Sequence, residues 1–206
     1  RRHTRLQGDW SSDVCSSDLQ KIKGTQDFLD LSLLDFIIEN CANHLKMHNF
    51  EQIALPILEQ TDLFKRTVGT ETDIVNKEMF IIEPREGSKD SICLRPEATA
   101  QTMRAYLEHN IQDKPWKVFS FGPMFRYERP QKGRFRQFHQ CNIEIIDTES
   151  INHDVSLIAA LDNLFGEKLK IPNYALVINF LGTPEDRNKF RTELQKFLSQ
   201  SSGICD

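Results

Sequence analysis

Two stretches, Val118 to Glu128 and Arg136 to Asp147, alternate their side chains with a period of two, and each alternation sorts one strand into two unlike faces. On the first, Phe119, Phe121, Phe125 and Tyr127 fall on one face while Arg126 and Glu128 fall on the other. On the second, Cys141, Ile143 and Ile145 oppose Arg136, Phe138, Gln140, Asn142 and Glu144. The spacing predicts two antiparallel strands joined by a long hairpin loop, with one apolar and one charged face to each strand.

If the apolar faces pack on helices, the other surface presents arginines, acids, amides and a single phenylalanine, which suits a ligand floor better than a solvated sheet. Between Arg126 and Arg136 the eleven residues RYERPQKGRFR hold five Lys or Arg against one Glu, a local charge of +4 on a chain whose net charge is -4. Polyphosphate matches such a cluster, because arginine forms charge-assisted paired bonds to phosphate oxygens. Phe138, alone on the polar face, has the chemistry to stack on a nucleobase. The plainer alternative is a solvated hairpin whose basic loop only keeps the protein soluble. Gln140 and Glu144 in line with Arg126 favour a site.

The rest of the chain supports an α+β domain, a largely antiparallel sheet flanked by helices. Leu34, Ile37, Ile38, Cys41 and Leu45 recur at helical spacing and predict a core-facing helix over 30–49. A short strand is expected over Glu51 to Leu55, then a long charged connection from Glu59 to Glu78. Strands near Met79 to Glu83 and Ser91 to Arg95 would flank the turn EPREGSKD. Pro96 suits the first turn of a helix running from about Glu97 to Asn110. A further helix over 153–170, a strand over 174–181 and a last helix capped by Thr183 and reaching about Leu198 complete the reading.

Residues 1–19 show neither period, and their SSD repeat reads as a non-native leader or a disordered tail; residues 20–206 carry the fold. No apolar run is long enough for a membrane-spanning helix. The five scattered cysteines contain no C-x-x-C pair, which fits reduced thiols in the cytoplasm and no metal site. A chain of net charge -4 does not fit binding of nucleic acid over its whole surface. His44 and His48 share a helix face without an evident third ligand, so a surface or helix-end role is expected. His139 is expected as a hydrogen-bonded core histidine and Cys93 and Cys141 as inert buried thiols. The stripes Leu157, Leu161, Leu164 and Phe190, Leu194, Phe197 are expected in the core.

The residues FGPMFRYERPQKGRFRQFHQ, Phe121 to Gln140, resemble motif 2 of the class II aminoacyl-tRNA synthetases in its histidyl form. FEQIALPILEQTDLFKRTVG resembles motif 1 with its proline at Pro56, LRPEATAQTMRAY the family's histidine-site segment, and KIKGTQDFLD its N-terminus. The likeness runs from about Lys21 to the end. It implies that Arg126, the catalytic residue, holds the α-phosphate of ATP, that Glu128 and Arg134 help to seat ATP, and that Phe138 stacks under adenine. Glu97, Thr99, Gln140 and Glu144 would contact histidine, with Arg136 a lesser candidate. The implied partners are histidine, ATP with Mg²⁺, tRNA(His) and a second copy of the chain. The implied reaction is attack of the histidine carboxylate on the α-phosphorus, then transfer of the aminoacyl group to the tRNA, with no protein nucleophile.

The family pattern continues with an LVRGLDYY-type segment, motif 3 and an anticodon-binding domain that this sequence does not contain. An enzyme fragment with little turnover of its own is therefore expected. Around Asn142 and Asp147 the sequence has bulkier or polar residues where the family often has glycine. The rival functions are a non-catalytic synthetase-like regulatory subunit of histidine biosynthesis, a class II enzyme for threonine or proline, and a simple RNA-binding module. Retention of Arg126, Glu128, Arg134 and Phe138 together favours the synthetase.

Overall fold

The computed structural model describes residues 20–68, 78–84, 91–179 and 182–200. The leader 1–19 and residues 85–90 of the expected turn lie outside the described residues. Two compact units divide the chain, residues 1–170 and 171–206.

In the first unit α1 (Ser32–Met47) opens with Asp30 Oδ1 accepting the Ser32 N–H at 2.9 Å. It closes where Asn49 takes φ +62 and Phe50 N–H returns to the Leu45 carbonyl at 3.0 Å. Asparagine tolerates that left-handed turn better than most residues. Then come β1 (Glu51–Gln52), β2 (Leu58–Gln60), α2 (Thr61–Val68), β3 (Ile81–Ile82), β4 (Ile92–Leu94) and α3 (Thr99–Glu108). The long hairpin follows as β5 (Trp116–Phe125) and β6 (Gln137–Ile146), then α4 (Ile151–Asn163), which continues as a π-helical turn over Leu164–Lys168. Two three-stranded sheets result, β1-β5-β6 and β2-β4-β3. Every pairing is antiparallel except that of β1 with β5.

Three apolar clusters hold these elements. Ala42 and Leu45 of α1 meet Phe50 and Phe119, with Cys141, Ile143, Ile145 and Leu157 packed around them. Trp116, Val118 and Ile146 on the opposite hairpin face pack with Ile53, Tyr106 and Ile111. Phe64, Met79, Cys93 and Ala100 join α2, the second sheet and α3.

Several expectations are corrected. The supposed connection Glu59 to Glu78 contains the end of β2 and all of α2, anchored by fully buried Phe64. Helix α3 begins at Thr99, so Pro96 precedes it instead of occupying its first turn. Residues 174–179 form no strand. His44 stands in the last turn of α1 but not at the surface: it is buried, and its Nε2 lies 2.8 Å from the Ala160 carbonyl, joining α1 to α4. A carbonyl only accepts, so that nitrogen carries the proton. His139 is on the expected face but exposed, edge-on to Phe28. Cys93 is buried, while Cys141 is half-buried with its thiol pushed up to about 12 by burial and by neighbouring Cys41.

In the second unit α5 (Pro184–Gln200) is capped as its sequence foretells. Thr183 Oγ1 donates to Asp186 Oδ2 at 2.7 Å and accepts the Asp186 N–H at 3.2 Å. Phe190, Leu194 and Phe197, expected in a core, are exposed.

Candidate functional site

The hairpin ladder pairs Val118 with Glu144, Ser120 with Asn142, Gly122 with Gln140 and Met124 with Phe138. Directly paired residues share a face, and Arg126 N–H bonds the Arg136 carbonyl at 2.9 Å, continuing the same register one step past the strands. Arg126, Arg136, Phe138, Gln140, Asn142 and Glu144 thus form one strip, as alternation predicts. The face is not charged throughout, since Val118 and Met124 on β5 are buried beneath it and the Trp116 end belongs to the core.

At the loop end Arg126 donates Nε to the Pro96 carbonyl at 3.0 Å, and its guanidinium lies 5.2 Å over the Phe138 ring. Glu128 and Arg134 pair at 2.7 Å across the hairpin loop. Arg136 donates Nε to the Glu128 carbonyl at 3.1 Å and covers the Tyr127 ring at 4.2 Å. The N-terminal segment closes this end: the Gly24 carbonyl accepts Arg136 N–H at 2.7 Å and Gln137 N–H at 3.3 Å. A side chain on Gly24, at φ +90, would press on Arg136 and Pro130.

Further along, Glu144 accepts the Thr99 hydroxyl at 2.7 Å and the Asn142 amide at 3.3 Å on the same oxygen. Glu97 turns back on its own helix, accepting Thr99 N–H at 2.5 Å and Ala100 N–H at 3.0 Å. Its charge therefore sits on the positive end of the α3 dipole. Gln140, half-buried, makes no side-chain hydrogen bond among the described residues. All eight expected site residues lie on this strip, its loop and the start of α3.

Alternation did not reveal Arg95, which is 2% exposed and donates Nε to the Pro123 carbonyl and Nη1 to the Leu55 and Pro56 carbonyls at 2.9, 2.9 and 3.3 Å. Burial pushes its pKa down. Gly122 was a readable signal, because a Cβ there would collide with the Arg95 guanidinium. Asn142 and Asp147 both make side-chain contacts. Asn142 braces Glu144, and Asp147, at φ +64, accepts the Tyr106 hydroxyl at 3.1 Å and pairs with Lys114. Lys114 first, then Tyr106, hold the Asp147 carboxyl below the usual carboxylate range.

A second hollow, about 790 Å³ between α2 and α3, contains none of the expected residues. Of the charges that line it, Arg104 pairs with Glu59 and Glu108 at 2.8 Å each.

The histidyl-tRNA synthetase family model matches residues 35–183. The chain belongs to that family. The histidine–tRNA ligase of the Porphyra purpurea chloroplast is 44% identical over 186 residues, 88% of this chain and 43% of the relative. The apo histidyl-tRNA synthetase structure from S. aureus superposes with a TM-score of 0.58 at 31% identity, covering 71% of this chain and 38% of that one. A Bacillus halodurans structure, titled an ATP phosphoribosyltransferase regulatory subunit/histidyl-tRNA synthetase, gives 0.57 at 21% identity over 70% of this chain and 37% of that one, a likeness of fold alone. The chain spans less than half the length of the ligases it matches. Class II synthetase architecture thus accounts for the α+β arrangement.

Proposed function

We propose that this chain carries the ATP and histidine sites of a histidine–tRNA ligase, and that the whole protein makes histidyl-adenylate and passes histidine to tRNA(His). What carries the reading is the register that lines up Arg126, Phe138, Gln140 and Glu144 on one face and brings Thr99 against Glu144. Arg126 takes the α-phosphate, Phe138 the adenine, and Glu128 with Arg134 the remainder of ATP. Arg126 rests over the ring on which the base would stack, so ATP entry swings it toward the phosphates. Histidine lies further along, its amino group and imidazole N–H facing Glu97, Thr99, Gln140 and Glu144.

The chain's own contribution is placement and charge stabilisation: bound in line, the histidine carboxylate attacks phosphorus while Arg126 meets the growing negative charge. Mg²⁺ would accompany ATP. The described residues form no cage for it, since no three acidic, histidine or cysteine side chains converge among them. We further propose a cytoplasmic homodimer joined through the segment Phe50 to Gly69. Among the described residues no helix is long and apolar enough to cross a membrane.

The test is thermal melting of the chain with each proteinogenic amino acid, with and without Mg-ATP. Histidine should raise the midpoint, and Gln140→Ala should remove the rise. A melt indifferent to histidine overturns the proposal, and a response to histidine that ATP never alters moves the reading to the regulatory subunit.

A further inference from the structure

The segment 95–97 runs through the middle of the site, and the charge on its first residue has no role in the steps above. Arg95 is fastened by its backbone on both sides, its N–H to the Ile57 carbonyl and its carbonyl to the Phe125 N–H, each at 3.0 Å. With its side chain clamped by the Leu55, Pro56 and Pro123 carbonyls, the guanidinium presses on Gly122. A Cβ on Gly122 would project onto the face it shares with Gln140, its direct partner in the ladder. Nη2 therefore stands where a β5 side chain would, across from Gln140.

Among the described residues Arg95 has no carboxylate partner and Nη2 makes no hydrogen bond. Arginine stays charged when buried. The carbonyl dipoles offset part of the desolvation cost but supply no net negative charge, and for stability alone a well-packed apolar residue would serve as well. The missing counter-charge points to a ligand.

We infer that Arg95 is a positioning residue: it sets Gly122 and Gln140 against the Pro56 turn and holds a positive charge behind them that draws the anionic group of a bound ligand to this point of the strip. The inference rests on the histidine and ATP reading above. Two anions fit, the amino-acid carboxylate and the nucleotide phosphate. The neighbourhood of Gln140, Glu144 and Thr99 favours the carboxylate.

Calorimetric titration separates these. Wild-type protein, Arg95→Gln and Arg95→Lys are each titrated with histidine and with histidinol, whose carboxylate is replaced by an alcohol, and with AMP and adenosine. Wild-type protein should prefer histidine to histidinol by about tenfold, the scale of one partly buried charge pair. Arg95→Gln should lose that preference while its histidinol affinity stays, and Arg95→Lys should keep most of it. Selective loss of AMP over adenosine instead identifies the phosphate as the anion. Equal weakening of both members of each pair marks Arg95 as merely structural and overturns the inference. Gly122→Ala, which retains Arg95 but drives Nη2 off the strip, should reproduce the selective loss even where Arg95→Gln folds poorly. If wild-type protein binds none of the four ligands, the functional reading fails as well; if it binds histidine and the variants keep the histidine preference, only the role of Arg95 fails.

Discussion

The two ends of one hairpin face differ more than its two faces do. At the Trp116 end the inward side chains are Trp116, Val118 and Ile146, closed over by Ile53, Tyr106 and Ile111. At the loop end, on the same face of the same strands, Arg126 lies over Phe138 and Glu128 pairs with Arg134. The first end is satisfied by burial and has nothing to exchange. The second is satisfied by an ion pair and a ring contact, which in the proposed function a polyphosphate and a base would replace. Alternation assigns a side chain to a face, while the element lying over that face decides whether the position serves stability or binding.

The sharpest way to break this contrast is at the dry end. Trp116→Ala should destabilise the chain by about 3 kcal/mol or more, read as a lower denaturation midpoint, because a large buried ring leaves a cavity. Affinity for ATP in the fraction that stays folded should be little changed. Phe138→Ala should do the opposite, weakening ATP binding by about tenfold or more, on the scale of one stacked base, while the melt moves little. Equal stability losses for the two would erase the distinction.

A smaller effect lies at the rim of the dry end, where Lys114 and Tyr106 hold the Asp147 carboxyl below its ordinary range. A carboxylate so depressed contributes stability above the unfolded value near about 4, and that contribution disappears as pH falls through the lower folded value. Asp147→Asn keeps a side chain that tolerates φ +64. Its melting midpoint should fall below that of wild type at neutral pH and converge with it in acid. A constant gap across the acid range would assign Asp147 to backbone geometry instead.

Much of the strip was legible because a period of two needs no tertiary information: Arg126, Phe138, Gln140 and Glu144 share a face whatever covers them. The Thr183 and Asp186 cap was legible for the same local reason. Elements that depend on distant partners were not. Helix α2 is too short for a helical period to stand out and owes its place to Phe64, buried between the second sheet and α3. The stretch 174–179 has strand-forming residues, yet a strand is a paired state and hydropathy does not supply the partner. A surface or helix-end role was expected for His44 because its burial depends on the Ala160 carbonyl of α4, and Arg95 did not stand out because its side-chain acceptors come from two other places in the chain, Leu55 with Pro56, and Pro123. Neither clue is written within a few residues of the side chain concerned.

The Gly24 carbonyl that seals Arg136 and Gln137 bears on the order in which the molecule assembles. The loop end draws together Gly24, Pro96, Arg126 and Arg136 from segments far apart in sequence, whereas the hairpin turn closes over a few neighbours. Contacts between remote segments carry a larger chain-closure entropy and slow folding. The ladder can therefore zip early from its own turn, while the loop end completes late, when Gly24 comes back to meet Arg136 and Gln137 from far along the chain.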